Sequence, residues 1–517
     1  CISNAILPLF YQDEAAYAGF GLTMIQTDNW LIPDFMWSDI HRKPPLYFWL
    51  IAVSYTLFGT SEFAMRLPAF LSLIGTYALM LYYGARWFGT KLALVWVAVL
   101  STSLFVPLTG RMALVDAPLL LVSTGAGLAL YASLTQKSKY YAPLMFWLCI
   151  SAGVMLKGPP IIIFTGTLWL LLIVISQKAD RRQLIRLHPW FFGLLSLLPF
   201  IYWLLQTIQH DNGALASWML DWYILKRLAG STLGHWGPPG YYLLSFILFF
   251  SSYMIFLPQA LATAWQSYKL SGYKRPQVLR TQWYFIAWFI AGWLFYAISP
   301  SKLPSYVIVS HIPLSFFIAS QIVRYTRVSN RWYTLGYSIT LLANGVWLCL
   351  VLMIPLYFHV PNTLLYASAT ALLFGISVVT YWYYPVQTSL LYATGFSLIL
   401  WLGILPKVAV IQLAPKTIGA QLATVPPETP VFIGKTQYEP TSLVFYLKRQ
   451  FNQVSLLTAD TLTLCQNNAC ILIMPDRFDP STQFESYKYY TIGPQDSAIR
   501  LPVLTYNIIH TNPDNAK

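Results

Sequence analysis

The sequence predicts a polytopic α-helical membrane protein with about 13 transmembrane helices and a small α/β domain at its C-terminal end. Two observations carry this class and a third orients it. Hydrophobic residues fill 57% of the 517 positions and aromatics 17%, while charged residues fill only 10%. A soluble domain carries about 25% charged residues, so this chain has too few to cover a water-facing surface. The apolar residues also gather into runs near the ~20 residues that cross a hydrocarbon core. Finally, the basic residues are segregated by loop, so the net charge of +14 reports topology rather than affinity for nucleic acid.

In chain order, Cys1 to Phe10 is too short to span and reads as the tail of a first helix truncated by this numbering. Spans then follow over 67–86, 91–108, 114–134, 141–156, 159–177, 189–207, 241–263, 282–299, 305–323, 332–357, 362–383 and 387–405. One alternate set of loops carries Arg86 and Lys91, Lys137 and Lys139, Lys178, Arg181, Arg182 and Arg186, Lys269, Lys274, Arg275 and Arg280, then Arg324, Arg327 and Arg331. Asp180 is the one acid among them. Excess Lys and Arg marks the cytoplasmic side. The opposite set is then extracytoplasmic: the long loop 11–66, the turns at Arg111, Lys157 and Lys302, the loop 208–240, and everything after Pro406.

Two outer loops are predicted to hold interfacial helices. In "EAAYAGFGLTMIQTDNW" the positions Tyr17, Phe20, Met24 and Ile25 recur near helical spacing, with Trp30 and Trp37 as interfacial anchors. Next, Lys43 precedes two prolines that stop any helix. The loop 208–240 repeats the pattern and adds Lys226, Arg227 and His235 before a rigid Pro-Pro-Gly.

Residues 1–406 thus form a membrane domain, and 407–517 read as a separate extracytoplasmic α/β domain. In the latter, short apolar runs in "TPVFIGK", "QVSLLT", "ACILIMP" and "LPVLTYNIIHT" are bounded by turn formers and read as strands; "PTSLVFYLKRQ" reads as a helix. Cys149 and Cys349 sit in apolar helices as packing residues. Cys465 and Cys470 lie outside the cytoplasm, where either a disulfide or two thiols in a short turn fits.

Ionisable residues at the rim of an apolar bundle are costly and point to function. The outer side offers Asp13, Glu14, His41, Arg42, Lys43, Arg66, Arg111, Asp116, Lys157, Lys226, Arg227, His235 and Lys302. Carboxylates among many cations suit an anionic substrate held beside a general base, with the cations stabilising a departing phosphate. No P-loop, dinucleotide fingerprint or HExxH motif is present, which leaves a lipid-borne phosphate as the anion. No histidine pair has ligand spacing. A divalent cation at Asp13 and Glu14 is compatible with carboxylate-plus-phosphate chemistry, but nothing requires a cofactor. Helix capping by Asp13, Glu14 or Asp116 and snorkelling by Lys43 or Lys302 are the plain structural alternatives.

The segments "QDEAAYA", "NWLIPDF", "HRKPPLYFWL" and "LFGTSEFAMRLPAFL" together resemble the first outer loop of the C-type multi-spanning glycosyltransferases. The likeness is to the branch containing the lipid A aminoarabinose transferases and protein O-mannosyltransferases. "GRMALVDAPLLL", "GVMLKGPPII" and "SPSKLPSYVIVSHIPLSFFIA" continue it to about Pro313. The resemblance implies inverting transfer of a sugar from a polyprenyl-phosphate (undecaprenyl-type) donor to a lipid, glycan or protein acceptor. The setting it implies is a bacterial inner membrane, with the active site on the periplasmic face. Asp13 would be the base, Glu14 its neighbour, and Asp116 would shape the sugar or acceptor pocket. Lys43 and Lys302 would contact the lipid phosphate, with Arg66, Lys157, Tyr17 and Tyr306 alongside. Where the aminoarabinose transferases carry a basic residue after the acid pair, Ala16 stands in this chain. A diphosphate-dependent ligase or polymerase would carry more outer arginines, and a secondary transporter would show inverted repeats and midplane charges.

Overall fold

The computed structural model describes residues 9, 12–35, 42–135, 140–175, 182, 184–185, 187–226, 237–270, 277–325, 331–357, 363–408, 413–434, 440–458, 469–475, 488–492 and 506–511. The chain is a multi-pass helical membrane protein. Each of the twelve apolar segments contains helix among the described residues, and seven helices there are long and apolar enough to cross a bilayer alone. The helix pair Tyr241–Phe249 and Ser251–Thr263 is long and apolar enough only when joined, and it is bent by 97°, as in a broken span or a re-entrant loop. The expected thirteenth segment falls almost wholly outside the described residues. Aromatics fill the bundle: Phe285 stacks on Phe316 at 3.9 Å, and the Trp96 indole donates to Ile312 O at 3.0 Å.

The loop 11–66, expected on the outer side, differs from a connector with one interfacial helix. It holds two helices, Gln12–Thr27 and Leu46–Phe58, packed on each other. Pro45 ends nothing that follows it. It stands at the N-cap of the second helix at φ −82° and accepts the first bond from Trp49 N at 2.9 Å. Proline is tolerated at a helix start because the N–H it lacks would have no partner there. The helices approach closely at Gly21, where a Cβ would meet Ile51 Cγ2 at 2.6 Å.

Nor does the apolar stripe of Gln12–Thr27 face lipid. Tyr17, Phe20 and Met24 are buried in a second core, separate from the main bundle, shared with Phe48, Met65, Leu443, Phe445 and Ile471. Chain from beyond position 412 supplies the cover. Five strands form one mixed sheet: β1 (Val431–Ile433), β2 (Val454–Leu456), β3 (Cys470–Pro475), β4 (Lys488–Ile492) and β5 (Tyr506–Thr511), in the order β2-β1-β3-β5-β4. β1 is parallel to β2 and β3, and β5 is antiparallel to β3 and β4. The helix Thr441–Lys448 returns the chain between β1 and β2 and lies against Gln12–Thr27. Polar ties reinforce the contact. Tyr446 and Lys416 both donate to Glu62 (3.1 and 2.9 Å), Gln26 donates to Lys448 O (2.8 Å), and Lys448 donates to Phe35 O (2.7 Å). The four strands and the helix expected in this region are present, and β4 and the helix Leu413–Gln421 are additional. Cys470 is disulfide-bonded, while Cys465 lies outside the described residues.

Candidate active site

Adjacent residues on a helix point about 100° apart, and Asp13 and Glu14, in the first turn of Gln12–Thr27, diverge accordingly. Glu14 turns into the protein and is fully buried. Its Oε1 accepts from Arg66 Nε at 2.7 Å and from Ala113 N at 2.9 Å, and its Oε2 accepts from Arg66 Nη2 at 3.1 Å. A forked guanidinium matched to both carboxylate oxygens is among the strongest charge-assisted contacts. It joins the outer helix to the start of Glu62–Phe88 and to the loop ahead of Asp116.

Asp13 takes the other direction and stays partly exposed. Four residues on, and so on the same helical face, is Tyr17. Burial first, then the nearby charges of Asp13, Tyr223, Asp116 and Tyr47, hold the Tyr17 phenol well above its usual range. It remains a neutral hydroxyl, and Lys43 Nζ donates to it in a short hydrogen bond. The same ammonium lies 4.5 Å from the centre of the Tyr17 ring and 5.9 Å from that of Tyr223. Tyr223, from the loop 208–240, donates to Arg42 O at 2.6 Å, and Arg42 pairs with Asp34 at 3.1 Å. Asp13, Tyr17, Lys43 and Tyr223 thus form one polar cluster from three chain segments, within electrostatic reach of Asp116.

Asp116 opens the helix Asp116–Thr135, and Lys157 closes the neighbouring Tyr141–Lys157. Their side chains meet at 2.7 Å. Gly158 then turns the chain at φ +78° and ψ −127°, a conformation that glycine alone adopts without strain; this explains the Lys-Gly-Pro sequence. Lys157 also lines a cavity of about 50 Å³ with Ser123, Tyr296, Ser305 and Tyr306. The Tyr296 and Tyr306 rings lie 5.4 Å apart, and Lys302 stands next to them. Its Nζ donates to Tyr296 O, Ala297 O and Ser299 O at 3.0, 2.7 and 2.6 Å, closing the end of Gln277–Ile298, and sits 5.4 Å from the Tyr242 ring.

The carboxylates and cations expected to work together therefore fall into three groups. Asp13, Tyr17, Lys43 and the Asp116–Lys157 pair surround one polar region. Glu14 and Arg66 are locked behind it. Tyr306 lines the small cavity with Lys157, and Lys302 stands outside that lining, on the carbonyls of Tyr296, Ala297 and Ser299. With both Glu14 oxygens engaged, a cation at the acid pair would rest on Asp13, and among the described residues no group of three or more His, Cys, Asp or Glu gathers. Lys226 pairs with Asp221 at 2.8 Å, and His41, Arg227 and His235 lie outside the described residues. Tyr223 and the Ala113 amide were not legible beforehand: the first sits beside the flagged Lys226, and the second is backbone.

Residues 42–205 match the model of the dolichyl-phosphate-mannose-protein mannosyltransferase family. The chain is 25% identical over 328 residues to undecaprenyl phosphate-alpha-4-amino-4-deoxy-L-arabinose arabinosyl transferase 2 of Proteus mirabilis, covering 60% of this chain and 55% of that one. The corresponding arabinosyl transferase of Aeromonas hydrophila is 25% identical over 366 residues, 68% of this chain and 62% of that one. The chain thus spans less than two thirds of the length of these curated relatives. In structure it resembles ArnT from Cupriavidus metallidurans bound to undecaprenyl phosphate, with a TM-score of 0.76 at 18% identity over 100% of this chain and 96% of that one. The apo form of that protein gives 0.75. The resemblance to the C-type glycosyltransferase superfamily holds, and the chain has that fold.

Proposed function

We propose that this chain, built on the C-type glycosyltransferase fold, moves a sugar from a polyprenyl-phosphate carrier to an acceptor lipid, glycan or protein outside the cytoplasm. The reading rests on one observation. Asp13 stands partly exposed on the helical face it shares with Tyr17, opposite Lys43 and within reach of Asp116–Lys157, while its neighbour Glu14 is consumed by Arg66. Asp13 takes the proton from the acceptor's O–H or N–H as the acceptor atom bonds to the anomeric carbon. The bond from that carbon to the phosphate oxygen breaks, its electron pair leaving on the carrier phosphate, and configuration inverts. Lys43 and Lys157 stabilise the charge that grows on the phosphate; Tyr17 orients Lys43. Lys302 reaches a phosphate only by releasing carbonyls, so its first duty is to shape the floor beneath Tyr296 and Tyr306. The relatives' names and the bound undecaprenyl phosphate of the structural neighbour support a carrier of that type.

Asp13→Asn preserves size and capping while removing the base, and general-base loss typically costs 10²–10⁴-fold. Transfer by the purified protein in detergent, with a short-chain polyprenyl-phosphate sugar, is expected to fall at least about a hundredfold with thermal unfolding unchanged. Near-normal transfer would overturn the assignment and move the base to Asp116.

The loop charges support a setting in the bacterial inner membrane with the site on the periplasmic face, and with 1–406 and 407–517 as membrane and periplasmic domains. A reporter active only in the cytoplasm, fused at Lys517, should stay silent; activity there would reverse the orientation.

A further inference from the structure

Arg111 takes no part in the cluster around Asp13, yet it is the wrong residue to find where it lies. Its predecessor Gly110 packs against Leu73, where a Cβ would meet Leu73 Cδ2 at 2.6 Å. Leu73 is seven residues, about two turns, along its helix from Arg66, so the loop reaches towards the bundle interior from the level of the Glu14–Arg66 pair. Ionisable groups at such depth are expensive and are normally paired. Arg111 is partly buried, and no carboxylate among the described residues forms an ion pair with it. Its guanidinium donates to Trp401 O over a long 3.5 Å and lies 4.7 Å from the centre of the Trp401 ring. The phenol of Tyr77 is close enough for each to influence the other's charge.

Both neighbours bring hydrogen-bond donors that the protein leaves unused. The Trp401 indole N–H and the Tyr77 hydroxyl are each buried without a hydrogen-bond partner, and Trp401 is 6% exposed. A guanidinium, an indole N–H and a phenol stand together with one long bond to a carbonyl among them, where a buried polar group without a partner is destabilising. Such a donor-rich, acceptor-poor place suits an anion, and the fork of Arg fits a phosphate in particular. Its surroundings indicate what carries the phosphate. The helices on either side turn Leu71 and Ile74, and Leu398 and Leu402, outward as exposed apolar residues, a wall for hydrocarbon chains rather than for water.

We infer that Arg111, Trp401 and Tyr77 form a binding site for the phosphate of a lipid lodged between the helix Glu62–Phe88 and the span Pro385–Ile404. The site does not depend on the transfer reading. It does touch the same loop, since Ala113, two residues on, holds Glu14. The test uses the full chain in a neutral maltoside detergent, titrated with a short-chain phosphatidylglycerol and, separately, with sodium phosphate, and followed by thermal unfolding. Phosphatidylglycerol is expected to raise the midpoint of the wild type, with apparent affinity at least tenfold weaker in Arg111→Ala and measurably weaker in Trp401→Phe, which keeps the ring and removes the N–H. Sodium phosphate is expected to give no shift. Equal affinity in Arg111→Ala overturns the site. If that variant does not fold, unchanged affinity in Trp401→Phe overturns it instead. An Arg111-dependent shift with sodium phosphate alone overturns the lipid as the source.

Discussion

Two carboxylate–cation pairs flank the candidate site, and they differ in everything but charge. Glu14–Arg66 is sealed, with side chains 0% and 2% exposed, and three hydrogen bonds saturate the carboxylate. Asp116–Lys157 makes one contact at 2.7 Å, with side chains 10% and 15% exposed, and its lysine borders a cavity. A saturated pair has nothing left to offer a substrate, so its role is to hold the helix. A pair with spare oxygens and protons at a cavity edge retains the capacity to bind. The contrast also separates Asp13 from Glu14, which in sequence are simply two neighbouring acids.

The sharpest way to break this contrast is to neutralise each pair in turn. Glu14→Gln strands the Arg66 guanidinium in the interior, and removing one partner of a buried pair costs about 3–5 kcal/mol. Asp116→Asn removes one charged hydrogen bond, worth about 1.5–3 kcal/mol, and should lose transfer out of proportion to stability. Thermal unfolding of both variants beside their transfer rates decides this; a larger stability loss in Asp116→Asn would make it the holding pair and Glu14–Arg66 the binding one. A smaller effect sharpens the contrast. Lys43→Ala should raise the apparent Kd for the lipid donor by roughly ten- to a hundredfold with little change in folding. Lys302→Ala should lower stability more than donor affinity, since its ammonium closes a helix end. If the lysines behave alike towards the donor, the distinction drawn from the three carbonyls fails.

How much of this could be read from the chain depends on distance along it. The spans were legible because each is a local run, and the Lys157-Gly158-Pro159 turn because its three residues are contiguous. The helix Leu46–Phe58 is hard to read from the chain because Pro44 and Pro45 suggest a stop, although proline is also well placed to open a helix. β4 was missed because "KYYTI" carries one aliphatic residue. The burial of Gln12–Thr27 was illegible for a different reason. Its stripe looked like a lipid-facing one because the residues that cover it, such as Phe445 and Ile471, lie more than 400 positions later. The same limit hid the partner of Glu14, 52 residues away. The role of Ala113 was hidden absolutely, since a backbone amide has no signature in sequence. Ala16 is the reverse case, a departure from the family pattern that the structure accommodates. The position is fully enclosed.

The seam between Gln12–Thr27 and Thr441–Lys448 sets an order of events during synthesis. Its polar tie, Gln26 to Lys448 O, joins residues 422 positions apart, and the flanking Tyr446–Glu62 and Leu9–Tyr446 bonds join residues 384 and 437 apart. At about 5–20 residues per second, the ribosome releases the covering helix roughly 20–80 s after the helix that bears Asp13. For that interval Ala15, Phe20 and Met24 have no lid, while the spans between are still being threaded into the bilayer. A half-made chain therefore holds the helix that bears its acid pair before it owns the surface that covers that helix.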